Sequence, residues 1–312
     1  MAFKICSAEN LPGDEWSIIT KNSLYSSPEF VRIWRTMSGR DVFFLEENNG
    51  GLMAGMAGVM FGRSFLSRFQ SMPDGLNGGP YYAENYTSAE KGEFIRSVLG
   101  WLKSKRVLRA DIHNPSVEID NKNFHRRDMV TQIIHLGNAS FTPPDSKIRE
   151  HIRTGKRRGA IVAIFDKFDY LDVFFELVEK TGRRHNAEPR YPKIWFRELL
   201  KLSINDDRIL WLSVFGENKM IGSRICFIDR SQLLTWQYYS DKEYGHLKPG
   251  YLLLDYIINY AVENKIKTIN LGSSPPGAES LRDYKKRWGG REVTLEYYTH
   301  YSRLGKLLYR RR

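Results

Sequence analysis

Cysteine is nearly absent. The 312 residues hold only Cys6 and Cys226, far apart in the chain, which excludes a disulfide framework and a cysteine-rich zinc site and suits a reducing compartment. Long hydrophobic runs are absent too. The best candidate, Leu252 to Val262, is interrupted by Asp255 and Asn259 and falls short of the roughly 18 apolar residues that span a bilayer. The first twenty residues carry Glu9, Asp14 and Glu15 and no apolar block, unlike a secretory signal. A cytoplasmic protein is the expectation. The seven histidines show no HExxH or other metal-ligand spacing, so no metal is expected. There is no Walker loop, no GxGxxG after a predicted strand, and no Ser-His-Asp or Cys-His pattern. Aromatics are not scarce: 17 Tyr, 17 Phe and 7 Trp exclude a disordered chain.

At about 150 residues per domain, the length predicts two domains, and the charge divides the same way. Residues 1–145 hold 16 basic and 16 acidic side chains, whereas residues 146–312 hold 32 and 20. The whole net charge of +12 therefore lies in the second half. It gathers in Lys147 to Arg158, in Arg282 to Arg291 and in the terminal Arg310-Arg311-Arg312. Such asymmetry points to an anionic partner: phosphates, RNA or a membrane surface. Around Leu304, Leu307, Leu308 and Tyr309, interleaved with Lys and Arg, a short interfacial helix at the inner membrane is a further expectation.

Two stretches resemble each other. One predicts a strand at Leu52–Phe61, a helix at Phe94–Lys105 and a strand at Val107–Ile112. The other predicts strands at Met220–Ile228 and Leu233–Ser240, a helix at Leu252–Asn264 and a strand at Ile266–Leu271. Both helices carry apolar residues at three-to-four spacing, and Trp101–Asp111 aligns with Tyr260–Asn270 without a gap. A diverged tandem repeat of one α/β unit explains this. The junction is expected near Pro143-Pro144-Asp145, because a Pro-Pro pair stops regular structure. The predicted domains are 1–145 and 146–312. In the second, helices are expected at Lys147–Gly159, where Asp145 or Ser146 supplies the cap, at Leu171–Arg184 and at Lys193–Leu202. A strand at Ile209–Phe215 and, after a loop, a last strand at Glu292–Thr299 complete a mixed-sheet α/β domain.

The second half resembles the FemAB-type, BioF2-like branch of the GNAT acyltransferases. The resemblance is carried by Leu177 to His185, Tyr191 to Phe196, Tyr244 to Leu254, Asn270 to Gly277 and, most diagnostic, Leu281 to Gly290. It covers about residues 140–300; before that it rests on the repeat. It implies two tandem GNAT-like domains and transfer of an acyl or aminoacyl group to an amine. The donor it implies is acyl-CoA or aminoacyl-tRNA, with no tightly bound cofactor. The acceptor is a phosphate-bearing peptidoglycan or polysaccharide precursor, lipid- or nucleotide-linked. No sustained heptads are present, so the coiled-coil arm of some tRNA-using members is missing. DNA is not an expected partner. The rival expectation is a non-catalytic tRNA- or RNA-binding protein using the basic half.

Tyr284-Lys285-Lys286-Arg287-Trp288-Gly289-Gly290 matches the family's aromatic-Lys-x-x-aromatic-Gly pattern, which makes Lys285 the candidate catalytic residue. A fixed ammonium stabilises the negative charge that builds as an amine attacks an ester or thioester. Arg282 and Arg287 are candidate phosphate ligands beside it. Arg184 is a candidate ligand for the acceptor phosphate and His185 a candidate proton acceptor, although cations at a helix end also complement its dipole. Tyr191 and Tyr238 are candidates for the same cleft, and Arg32 and Arg35 for the acceptor site. Donor phosphates are expected at Gly245, His246, Lys248, Gly250 and Tyr251, where a glycine-bearing turn feeds a helix N-terminus. The Arg/Gln-x-x-Gly-x-Gly/Ala signature of CoA binders is missing there, and Pro249 removes a donor.

Overall fold

The computed structural model describes residues 2–48, 50–63, 66–113, 124–137, 140–275 and 277–309. The chain forms two compact units, Met1–Met129 with Leu295–Arg312, and Val130–Thr294.

In the first unit, strands β1 (Ala2–Cys6), β2 (Arg40–Asn48), β3 (Gly51–Phe61), β4 (Arg68–Gln70) and β6 (Arg109–His113) lie side by side in that order. β5 (Tyr81–Tyr82) pairs with β3 off this path. All of these neighbours are antiparallel except β4 and β6. The Gly- and Ala-rich sequence of β3 lets bulky groups close on both of its faces. The Trp16 ring of α1 (Gly13–Thr20) sits where a side chain on Gly55 would project, 2.4 Å from that position. Phe69 lies likewise 2.3 Å from the side-chain position of Gly58. A short helix, α2 (Pro28–Arg32), follows α1. α3 (Ser88–Ser104) begins with a Thr87/Glu90 capping box and lays Phe94, Val98 and Leu102 on the core with Met56 and Met60.

In the second unit the order is β7 (Phe124–His135), β12 (Thr268–Ser273), β11 (Gln232–Ser240), β10 (Lys219–Asp229), β9 (Ile209–Gly216) and β8 (Ile161–Ile164). Only β11 and β12 are parallel. Helices α4 (Ser146–Arg157) and α7 (Pro249–Glu263) contribute to one core with Ile152, Leu253 and Ile257 against Leu212, Leu233 and Ile269. Helices α5 (Leu171–Arg184) and α6 (Lys193–Ser203) contribute to an aromatic cluster in which Phe174 and Phe196 meet edge to face and Phe174 reaches Trp211. Asp145 caps α4 through the N–H groups of Lys147 and Ile148.

The boundary differs from position 145. Thr131–His135 pairs with β12, and Tyr297–Tyr301 at the end of β13 (Arg291–Tyr301) pairs with β6. The chain thus changes unit inside two strands, which a search for proline-rich linkers does not find. A second difference is α8 (Glu279–Arg287), a helix where a loop was expected.

The repeat is visible in the backbone. Arg106 and Lys265 both adopt the left-handed conformation, with φ of 54° and 57°. Val107 N–H then donates to Leu102 O, as Ile266 N–H does to Ala261 O. Farther on, Asp111 and Asn270 each accept a threonine hydroxyl from the next strand, from Thr299 at 2.8 Å and Thr131 at 2.5 Å.

Candidate active site

The parallel ladder of β11 and β12 is short. It runs from Gln232 opposite Thr268 to Leu234 opposite Asn270 and stops. Gly272, at φ 76°, turns the end of β12, while β11 continues to Ser240 paired with β10. Carbonyls near the end of a strand that has lost its ladder need new donors, and Lys285 supplies them. Its Nζ donates to Gly272 O at 2.7 Å, Ser273 O at 3.0 Å and Ser274 Oγ at 3.0 Å.

Residues 284–290 have distinct jobs in placing that ammonium. Trp288 is fully buried beside Tyr251 and Tyr284 and pins the end of α8. Gly289 leaves the helix at φ 91°, a conformation glycine adopts without a side-chain penalty. Gly290 has room for no side chain, because one would meet Lys285 O at 2.9 Å and the Gln132 Cβ at 3.2 Å. Gln132 in turn donates to the Arg282 carbonyl. Lys285 is consequently only 5% exposed.

Arg224 on β10 stands opposite Tyr238 on β11, its guanidinium 4.7 Å from the ring centre. Its Nε is buried and, among the described residues, has no hydrogen-bond partner. Burial first, and the Arg224 charge second, bring the Lys285 ammonium down to about 8. Burial also pushes the Tyr284 hydroxyl up to about 12. Two cations and two tyrosines converge here, and no carboxylate pairs with either cation among the described residues. Such a wall stabilises negative charge that develops beside it.

The other candidates fall in different places. Arg282 lies one turn before Lys285 on α8, its Nε buried without a partner among the described residues. Tyr238 lies at the wall itself, its hydroxyl close against Gly250 at the start of α7. Arg287 instead ion-pairs with Asp145 at 2.7 Å and fastens α8 to the cap of α4. Tyr191 belongs to the core rather than to a cleft: it is 1% exposed, stacked 4.6 Å from Trp195 and near Trp236. Arg184 and His185 end α5 in solvent, with Arg184 reaching the Ser240 carbonyl at 3.4 Å. Arg32 and Arg35 lie in the first unit, both on Glu9, with Arg35 also on Asp41.

Around the start of α7, Lys248 takes the left-handed conformation and Gly245 is open, with no heavy atom near its side-chain position. His246 meets Glu217, and Tyr251 meets His151 at 4.6 Å. With no N–H on Pro249, this helix start has one donor fewer for a phosphate. A cavity of about 410 Å³ opens by Lys180, Asp241 and Tyr244; Lys285 does not line it.

Sequence reasoning missed Arg224 and Gln132. A charge inside the apolar run Met220 to Ile228 is the signal that could have found Arg224. Gln132 carried no such signal.

Residues 145–286, which include Arg224, Tyr238 and Lys285, match the model of the acetyltransferase (GNAT) domain. Over the whole chain the fold is that of FemX, with a TM-score of 0.72 at 12% identity and 99% of each chain covered. The C-terminal domain of an assigned lysylphosphatidylglycerol synthetase from Agrobacterium fabrum is similar at a TM-score of 0.62 and 10% identity, covering 95% of this chain and 93% of that one. A tandem GNAT protein from the clavulanic acid biosynthesis pathway gives 0.57 at 9% identity, covering 96% and 98%. No curated protein matches the sequence. The chain therefore has a tandem GNAT-like fold.

Proposed function

We propose that the chain is an N-acyltransferase or aminoacyltransferase that modifies an amine on a cell-envelope precursor, with Lys285 as the catalytic residue. The observation that supports this most strongly is the buried ammonium of Lys285 at the parting of β11 and β12, beside Arg224 and, among the described residues, without a carboxylate partner. In the reaction, the acceptor nitrogen attacks the donor carbonyl, the C–N bond forms and the C–O or C–S bond breaks. The proton that the attacking amine gives up is taken up by the leaving alcohol or thiol. Negative charge on the carbonyl oxygen and the leaving group is strongest in the transition state, where a preorganised cation acts. All three Lys285 donors are already engaged, so it acts as a fixed positive charge, and no covalent enzyme intermediate is required.

The donor in this proposal is acyl-CoA or aminoacyl-tRNA, and the acceptor a lipid- or nucleotide-linked precursor. The likeness to FemX and to a protein assigned to lysylphosphatidylglycerol synthesis favours the aminoacyl ester, as does the donor-poor start of α7. The test supplies labelled acetyl-CoA or labelled aminoacyl-tRNA with amine-bearing muropeptide precursors and measures amide formation. Lys285→Met is expected to lower the rate by about 10²–10³-fold with an unchanged circular dichroism spectrum. A rate within threefold of wild type would reject the assignment. Tight RNA binding with steep salt dependence and no transfer from either donor would favour the RNA-binding alternative.

A further inference from the structure

The last helix of the first unit, α9 (Arg303–Tyr309), carries its apolar stripe outward. Leu304, Leu307 and Leu308 stand at the spacing of one helix face, 44%, 70% and 51% exposed. An amphipathic helix on a soluble domain normally turns that face inward. Here the inward side is taken by other groups. Gly305 packs so closely that a side chain would meet Leu108 O at 2.2 Å. Tyr309 packs tilted against Tyr301, and the Arg109 guanidinium lies within 6 Å of both rings. Ser302 N–H donates to Leu108 O at 2.9 Å, fixing where the helix begins. The outward stripe is therefore imposed by firm anchoring.

Beside this stripe lies a cavity of about 580 Å³. Its apolar walls include Val107, Leu108 and Leu304. Lys103, Arg106, Arg303 and Lys306 also line it, and among the described residues no carboxylate does. Exposed leucines next to a cavity with four cations at its wall match an amphiphile with an anionic head and an apolar tail. RNA would use the cations and leave the leucines in water. We propose that this face docks on a bilayer of anionic phospholipid, the leucines entering the acyl boundary and the four cations holding headgroup phosphates. The inference is independent of the acyl-transfer reading.

The test is flotation of the full chain with vesicles of phosphatidylcholine alone or with 30% phosphatidylglycerol. The wild type is expected to float with the anionic vesicles at least about tenfold more than with neutral ones, and to lose this as salt is raised. Leu307→Glu, at a position too exposed to unfold the helix, and the double variant Lys103→Gln/Arg106→Gln are each expected to cut flotation about tenfold with unchanged melting. No flotation of the wild type, or flotation unaffected by Leu307→Glu, overturns the proposal. So does binding of a short RNA that needs the same four cations in a protein that does not float.

Discussion

In the first unit the parallel strands β4 and β6 stay tied beyond their ladder. Ser71 N–H donates to Asp111 O at 2.8 Å and His113 N–H donates to Ser71 Oγ at 2.9 Å. Ser71, Asp111 and His113 are all buried, and the His113 ring bonds the Leu76 carbonyl. In the second unit the corresponding strands, β11 and β12, part after Asn270, and the freed carbonyls face Lys285. One supersecondary unit has thus been used twice. In one copy the space past the helix–strand connection is filled with backbone and side-chain hydrogen bonds, and the one cation beside it, Arg109, is paired with Asp111; in the other, among the described residues, the cation has no carboxylate partner. A buried cation without a carboxylate costs stability, and a protein tolerates it where the charge has work to do.

The largest effect expected from breaking this difference is the loss of turnover in Lys285→Met, about 10²–10³-fold. A His113→Phe exchange in the first unit is expected to lower the melting temperature and leave kcat within about threefold; a loss as deep as that of Lys285→Met would show that both copies carry chemistry. Next in size is Arg224→Met. Lys285 is active as a cation, so turnover is expected to fall as pH rises through about 8. Removing Arg224 takes away a neighbouring charge, so the Lys285 value rises and the falling limb moves to higher pH. A pH–rate profile with the limb unmoved would contradict the coupling.

A stability effect follows in the first unit. Gly58→Ala drives a methyl into Phe69 and is expected to destabilise by about 1–3 kcal/mol, read as a lower melting temperature with kcat unchanged. The smallest effect belongs to Asp145. Its Arg287 partner and the α4 N–H groups hold its carboxyl down at about 2. A carboxyl lowered on folding adds stability above about pH 4 and loses it as pH falls toward 2. Asp145→Ala is expected to melt slightly lower at pH 7 and to show a flatter acid limb. An identical acid limb would remove the pair from the account.

Much of this was legible in the sequence because the repeat, the helix periods and a cap at Asp145 or Ser146, which the structure resolves as Asp145, are local features. Leu171–Arg184 was readable as a helix from its own apolar spacing, and it is α5. The placement of Lys285 at a candidate site came from the resemblance. What the chain hides is long-range. That Thr131–His135 joins β12 depends on pairing across more than 130 positions, and no spacing rule reaches that far. Tyr191 was placed in a cleft by the family resemblance, whereas its packing on Trp195, Phe196 and Trp236 puts it in the core. Arg287 resembled a phosphate ligand until Asp145, 142 positions earlier, supplied its counter-ion.

The most direct test of the division between the units is hydrogen–deuterium exchange with and without donor, offering acetyl-CoA and a non-hydrolysable aminoacyl-tRNA in turn. The account predicts that one donor protects peptides spanning 233–240 and 270–275 and leaves 67–72 and 109–113 unchanged. Protection at 67–72 and 109–113, or none at 233–240 and 270–275 with either donor, would contradict it.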